Sequence, residues 1–217
     1  MSHRPFKTKL YAEFARVGTA LGSDKRLELL DLLSQGPRYV DALAGEMEMS
    51  VANISQHLQV LRNAKLVESE REGTRVLYHL TDDSVLKLWL TLRGVAEDHL
   101  PEIRQLRAQN SIEGINESMP RPDLESILAS GDVVLIDVRP AIEFESGHIA
   151  GALSVPVEEL PRRLVTLPRD KKIVAYCRGE YCLFADEAVA ILLQNGFDAV
   201  RLEGGWPEWA AEGLPTD

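Results

Sequence analysis

Cysteine is nearly absent from this 217-residue chain, and its two cysteines fall within one six-residue stretch, Cys177-Arg178-Gly179-Glu180-Tyr181-Cys182. Cross-links that staple a secreted fold are normally spread along the chain to close long loops, so this pair reads as chemical and not architectural. No apolar run approaches the roughly 18 residues of a membrane span, and Met1 to Leu10 lacks the apolar core of a secretion signal. A cytoplasmic protein that does not engage a membrane is expected. Low-complexity tracts and internal repeats are also missing, and 45% hydrophobic with 27% charged residues is ordinary globular composition. A basic excess is lacking too: residues 1–115 carry 15 Lys+Arg against 16 Asp+Glu, and residues 116–217 carry 9 against 18. The two halves therefore face different partners.

The length fits two domains of about 100 residues each. Leu10, Phe14, Val17 and Leu21 recur at helical spacing, and a second helix from Arg26 to Leu33 stops at Gly36-Pro37. Val40, Leu43 and Met47 mark a short helix, after which Ser50 can cap another from Val51 to about Ala64 with Ile54, Leu58 and Leu61 on one face. The period then changes to two: Leu66 to Arg71, a turn at Glu72-Gly73, and Thr74 to Leu80 predict a hairpin. A long amphipathic helix is expected from about Ser84 to Leu106, kinked at Pro101, and its apolar stripe needs a partner helix. Asn, Ser, Glu, Gly and two prolines between Gln109 and Pro122 read as a linker, placed at 109–121. Beyond it, strands at Val133–Ile136, Lys172–Tyr176 and Asp198–Leu202 alternate with helices at Asp123–Ala129, Val157–Leu164 and Leu183–Asn195, which implies an open, mostly parallel α/β sheet.

Helix, turn, helix, hairpin, long helix is the order of a winged helix-turn-helix. The run from Met49 to Val67, with Arg71-Glu72-Gly73-Thr74-Arg75 and Tyr78-His79-Leu80, resembles the ArsR family of bacterial repressors over roughly residues 10–105. The resemblance implies a homodimer built on the first and last helices, and binding to double-stranded DNA. A helix with Ile54, Leu58 and Leu61 inward turns Asn53, Ser55, Gln56 and Gln59 outward, where amides and hydroxyls can read base edges. With Ser50, these residues form the expected reading surface, and Arg71 and Arg75 on the hairpin can reach phosphate or the minor groove. His57 stays open between a DNA contact and packing beside Leu61. Because one recognition helix reads a half-site, the operator is expected to be an inverted repeat. No metal is expected: residues 1–176 contain no cysteine, and Asp98 and His99 are adjacent and diverge. Met47 and Met49 read as core.

In the second half, Asp137-Val138-Arg139, Glu143-Phe144, Gly147-His148-Ile149-Ala150-Gly151-Ala152 and Pro156 resemble the opening motif of rhodanese-like domains, and Gly204-Gly205-Trp206, Trp209 and Gly213-Leu214-Pro215 the closing one. The resemblance places a catalytic cysteine at the start of a strand-to-helix loop, which is Cys177. There a thiolate is favoured by the helix dipole and the loop amides, and a persulfide would be cradled by the N–H groups of Arg178, Gly179, Glu180, Tyr181 and Cys182. Asp137, Arg139 and His148 read as structural and not as a triad. The sixth residue after Cys177 is Leu183, not the arginine of phosphatases and arsenate reductases, which disfavours that chemistry. Glu180, offset only by Arg178, weakens attraction for thiosulfate and points towards a persulfide donor. Cys182 stays open between a resolving thiol and an inert loop residue. No cofactor is implied.

The expectation is thus a winged helix-turn-helix DNA-binding and dimerisation domain at 1–108, a linker at 109–121 and an α/β rhodanese-like domain at 122–217. It would be a transcriptional regulator, a repressor, responding to reactive sulfur through Cys177. The alternatives are a sulfurtransferase of modest activity that the DNA-binding domain localises, or a silent interaction module.

Overall fold

The computed structural model describes residues 3–110, 112, 115 and 117–217, apart from the side chains of 125, 129 and 130. The chain divides into two compact units, Met1–Thr91 and Leu92–Asp217. The first contains α1 (Arg4–Leu21), α2 (Asp24–Leu33), β1 (Arg38–Tyr39), α3 (Val40–Glu46), α4 (Val51–Asn63), β2 (Val67–Glu72) and β3 (Arg75–Leu80). Its core gathers Leu29, Leu30 and Leu33 of α2, Leu43 of α3 and Ile54, Leu58 and Leu61 of α4, with Tyr78 and Val85. The inward face expected of α4 is the buried face. The hairpin turns one residue later than the sequence indicated, through Gly73 with φ +61°, and Glu72 pairs with Arg75. A short third strand, β1, adds to β3 antiparallel. This is a winged helix-turn-helix.

The long helix expected from Ser84 to Leu106 is two: α5 (Asp83–His99) and α6 (Pro101–Asn110). Pro101 has no N–H to continue the ladder and suits the first position of a new helix. The unit division falls inside α5, so the end of α5 and all of α6 group with the second unit and not with 1–108. Their contacts explain this: Arg93 pairs with Glu208, and Arg107 with Glu180. Of the expected linker, residues 111, 113, 114 and 116 lie outside the described residues, while Ser118–Met119 forms β4.

The second unit continues with α7 (Arg121–Ser130), β5 (Val133–Asp137), α8 (Ala141–Glu145), β6 (Leu153–Ser154), α9 (Leu160–Arg163), β7 (Lys172–Tyr176), α10 (Phe184–Gln194), β8 (Ala199–Leu202) and α11 (Trp206–Ala211). Its five strands run in the order β4-β8-β7-β5-β6, every neighbouring pair parallel. A parallel sheet covered on both faces is apolar on both, and strand alternation sorts the residues. Ile173, Ala175 and Cys177 join the cluster under α10 with Ala188, Val189 and Leu192. Val174 and Tyr176 face the other way, towards Leu124 and Trp209. Period two thus sets Cys177 on the α10 face.

At the carboxyl end of β5, Asp137 and Arg139 are fully buried and paired at 2.6 Å. Arg139 also donates through Nη2 to the Gly147 carbonyl at 2.8 Å, and its guanidinium lies 5.2 Å from the Trp206 ring. One buried charge pair therefore joins the strand end, the α8–β6 segment and the start of α11. Removing one partner of such a pair typically costs about 3–5 kcal/mol, because the other charge is left buried alone. Asp137→Asn is expected to lower stability by about that amount, read by urea denaturation of the full chain. A variant as stable as the parent would show that the pair anchors nothing.

Candidate functional site

In the first unit, the Ser50 Oγ accepts from the Asn53 N–H at 3.3 Å and caps α4. Asn53, Gln56 and Gln59 are exposed, as are Arg71 and Arg75 on the wing. Ser55 is only half-exposed, and its hydroxyl donates back to the Val51 carbonyl at 2.7 Å. Gln59 donates to Asn63 at 2.7 Å, and His57 is half-buried. Arg75 stacks 3.6 Å over the Tyr39 ring and pairs with Asp41 at 3.1 Å, while Arg71 donates to the Gly73 carbonyl. The wing arginines are thus held at the hairpin by local partners that the sequence did not reveal.

In the second unit, the chain leaves β7 at Tyr176, turns through Cys177–Leu183 and enters α10. Cys177 is 1% exposed, while Cys182 is half-buried. The Cys177 thiol donates to the Cys182 carbonyl at 3.3 Å. The N–H groups of Ala185, in the first turn of α10, and Gly179 point at its sulfur, and those of Arg178 and Phe184 at the sulfur of Cys182. Of the five N–H groups expected to form the cradle, Gly179 serves Cys177 and Arg178 serves Cys182; the Cys182 N–H donates instead to the Gly179 carbonyl at 3.2 Å, and Ala185 and Phe184 at the start of α10 supply the other two.

The expected low-pKa thiolate is not found at Cys177. Burial pushes its thiol well above the ordinary value, its hydrogen bond to Cys182 adds to this, and the Ala185 and Gly179 N–H groups oppose it. The same sulfur-sulfur hydrogen bond holds Cys182 below its ordinary value, supported by the Arg178 and Phe184 N–H groups and the Arg178 charge. Burial acts on both sulfurs but is the largest influence only at Cys177, so the two thiols are pushed in opposite directions.

The surrounding charges also differ from the sequence expectation. Arg178 pairs with Glu143, donating through Nε to both carboxylate oxygens at 3.0 Å. Glu143 is buried and holds the nearest cation. Glu180 is met by Arg107 of α6 at 2.6 Å, across 73 positions of sequence. Tyr181 is held by a hydrogen bond to Glu97 of α5 and lies 5.6 Å from the Arg93 guanidinium; burial and that hydrogen bond raise its pKa. Arg93 pairs with Glu208 of α11, which caps Gly205 by accepting its N–H at 2.8 Å. Glu143 was read from the sequence only as part of a motif, and Arg93, Glu97, Arg107 and Glu208 were not picked out, since a charged residue on a helix face gives no local sign of a remote partner.

Backbone packs on backbone beneath the loop. The Trp206 N–H donates to the Cys177 carbonyl at 3.1 Å, and a Cβ at Gly205 would lie 2.3 Å from both that oxygen and the Gly179 nitrogen. His148 stacks on Phe144 at 3.6 Å and hydrogen-bonds the Phe144 carbonyl. Among the described residues no cluster of His, Cys, Asp and Glu could hold a metal, and no helix is long and apolar enough to cross a membrane.

An ArsR-type helix-turn-helix followed by a rhodanese-like domain is the class that this fold and loop define. The family model "Bacterial regulatory protein, arsR family" matches residues 23–69, and "Rhodanese-like domain" matches residues 121–212. The chain is 41% identical over 211 residues to the HTH-type transcriptional regulator Rv0324 of Mycobacterium tuberculosis, covering 97% of this chain and 93% of that protein. It therefore belongs to that family of ArsR-type transcriptional regulators with a rhodanese-like domain. A sulfurtransferase of Allochromatium vinosum is 39% identical over 85 residues, 39% of this chain and 78% of that protein. A solution structure of the homodimeric winged helix-turn-helix DNA-binding domain Mb0332 of Mycobacterium bovis is 42% identical, covering 46% of this chain and 91% of that one, with a TM-score of 0.43.

Two outcomes follow from the loop. At pH 7, iodoacetamide is expected to label Cys182 ahead of Cys177, because the thiolate is the reactive form, and labelling of Cys177 should rise only as pH climbs past the ordinary thiol range. Peptide mass spectrometry finding Cys177 labelled first at pH 7 would reverse the assignment. Gly205→Ala is expected to displace the loop and slow persulfide formation at Cys177 at least tenfold, measured with polysulfide as donor. The cause is steric, since the φ of −167° at Gly205 is open to any residue.

Proposed function

We propose that the protein is a homodimeric repressor that binds an inverted-repeat operator on double-stranded DNA in the cytoplasm, and that reactive sulfur at Cys177 changes that binding. Asn53, Ser55, Gln56 and Gln59 read bases, while Ser50, His57, Arg71 and Arg75 sit at the edge of that surface. In the sulfur step, Cys177 passes its proton to the Cys182 thiolate and attacks the outer sulfur of a persulfide, R–S–SH. The S–S bond breaks, RS⁻ leaves, and Cys177–S–SH remains in the cradle of loop N–H groups. Cys182, once deprotonated, can then attack the Cys177 sulfur, expel HS⁻ and close a disulfide.

The observation that carries this reading is that three successive loop residues are held by helices outside the loop. Gly179 lies against Glu208 and Arg93, Glu180 pairs with Arg107, and Tyr181 bonds to Glu97. Arg93 and Glu97 belong to α5, the helix that also contributes Val85 to the winged-helix core. The coupling proposed here is that a change of charge or shape in the loop alters these contacts of α5. A second reading, a sulfurtransferase that the first domain localises, draws on the likeness to the Allochromatium sulfurtransferase.

Operator affinity measured by anisotropy before and after persulfide treatment is expected to fall at least tenfold in the native chain and to stay constant in Cys177→Ser. Unchanged affinity with Cys177 fully persulfidated would remove the coupling and leave the sulfurtransferase reading. Mass spectrometry should show a Cys177–Cys182 link in the native chain and an open Cys177 persulfide in Cys182→Ser. The same open persulfide in both would end the resolving role. Gln56→Ala is expected to weaken specific binding by about 1–3 kcal/mol if its amide reads a base, and unchanged affinity would remove it from the reading set.

A further inference from the structure

The tip of the wing is braced from outside the hairpin. Glu72 and Arg75 stand opposite each other on β2 and β3, on either side of the Gly73-Thr74 turn. Both are taken by the segment that enters α3. The Tyr39 hydroxyl donates to Glu72 at 2.5 Å. Asp41, in the first turn of α3, accepts from Arg75 at 3.1 and 3.4 Å, and the Arg75 guanidinium lies 3.6 Å over the Tyr39 ring. A planar group stacked on a ring and pinned at one nitrogen has its direction set. Only Nη2 is used in this way; Nε and Nη1 donate to none of the described residues. Arg75 therefore presents a free edge at a fixed angle, whereas Arg71 donates to the carbonyl of its own turn.

The charges beside that edge decide what it can meet. A phosphate brought to Arg75 also comes up against Asp41 and Glu72, two carboxylates for one guanidinium, so little attraction remains. The half of the chain that contains the wing has no basic excess to add, with 15 Lys+Arg against 16 Asp+Glu over residues 1–115. An acceptor on a base edge carries no formal charge. It escapes most of that repulsion, and it rewards a donor of fixed direction. The carboxylates thus withhold Arg75 from the DNA backbone, where contacts position a protein without reading sequence.

We propose that Asp41 is a specificity-determining residue of the DNA-binding surface: it holds Arg75 on the Tyr39 ring, so that the wing reads a base edge and is a poor phosphate anchor. The inference rests on the reading of the winged helix as DNA-binding and names how its wing chooses among duplexes. Tyr39 and Glu72 are positioning residues that act through the ring. One exposed ion pair adds little to stability. Its consequence here is direction, because a released Arg75 gains phosphate contact as it loses base contact.

The probes are a duplex enriched by the native chain from a randomised library and a scrambled duplex of the same composition, with affinities read by anisotropy at several salt concentrations. In Asp41→Asn, affinity for the scrambled duplex is expected to rise, with a salt slope steeper by about 0.9 for each phosphate gained. The ratio of enriched to scrambled affinity is expected to fall at least fivefold. Arg75→Lys keeps the charge and loses the planar edge, so its ratio should fall by a similar factor. In an Arg75→Ala background, Asp41→Asn should leave the ratio where Arg75→Ala alone put it, because no guanidinium is left to direct. Thermal transitions check that each variant is folded, and should Asp41→Asn fail to fold, Arg75→Lys carries the test. A native ratio in either folded variant, or a further fall without Arg75, overturns the proposal. Failure of the native chain to enrich any duplex would overturn the DNA-binding reading and the proposal with it, whereas a constant ratio rejects the role of Asp41 alone.

Discussion

The contact on which the sulfur loop depends is the stacking of one backbone on another, where Gly205 lies so close to Cys177 and Gly179 that no side-chain carbon fits between them. That approach lets the Trp206 N–H take the Cys177 carbonyl and lets Glu208, three residues on, reach both the Gly205 N–H and Arg93. With its carbonyl held from below, the loop can turn the Gly179 N–H towards the sulfur. Gly179 itself adopts φ +126°, a conformation that side chains rarely take. Two glycines, one for space and one for backbone angle, make the cradle possible.

Around this contact the charges are arranged in pairs that each tie the loop to a different element. Glu143 holds Arg178 to α8, Arg107 holds Glu180 to α6, and Glu97 holds Tyr181 to α5. The Asp137–Arg139 pair does the same for the neighbouring strand end, where low dielectric makes the geometry unforgiving. The −9 excess of the second half is thus partly compensated at the loop, by Arg178 of the loop itself and by Arg93 and Arg107 of α5 and α6. Full burial of Cys177 against the half-buried Cys182 then pushes the two thiols in opposite directions.

Local chemistry was legible wherever one short segment carries its own signal. The period of Ile54, Leu58 and Leu61 gave the inner face of α4, Ser50 gave its cap, and the alternation of Lys172–Tyr176 placed Cys177 at a strand end before a helix. Gly73 marked the wing to within one residue. The rhodanese-like and ArsR-type motifs were readable because each is a set of backbone requirements, close approaches and turns, that particular residue types satisfy.

What the sequence by itself determined is therefore the order of elements, the two domain classes and the candidate sulfur residue, since periodicity, caps and glycine turns act over a few residues. Tertiary structure alone decided which arginine answers which carboxylate, that the end of α5 and α6 group with the sulfur loop, and that the Cys177 thiol is pushed up while that of Cys182 is held down. These are matters of distance and burial between residues far apart in the chain. Coulombic attraction and desolvation depend on position in space, and no local pattern in the chain encodes that.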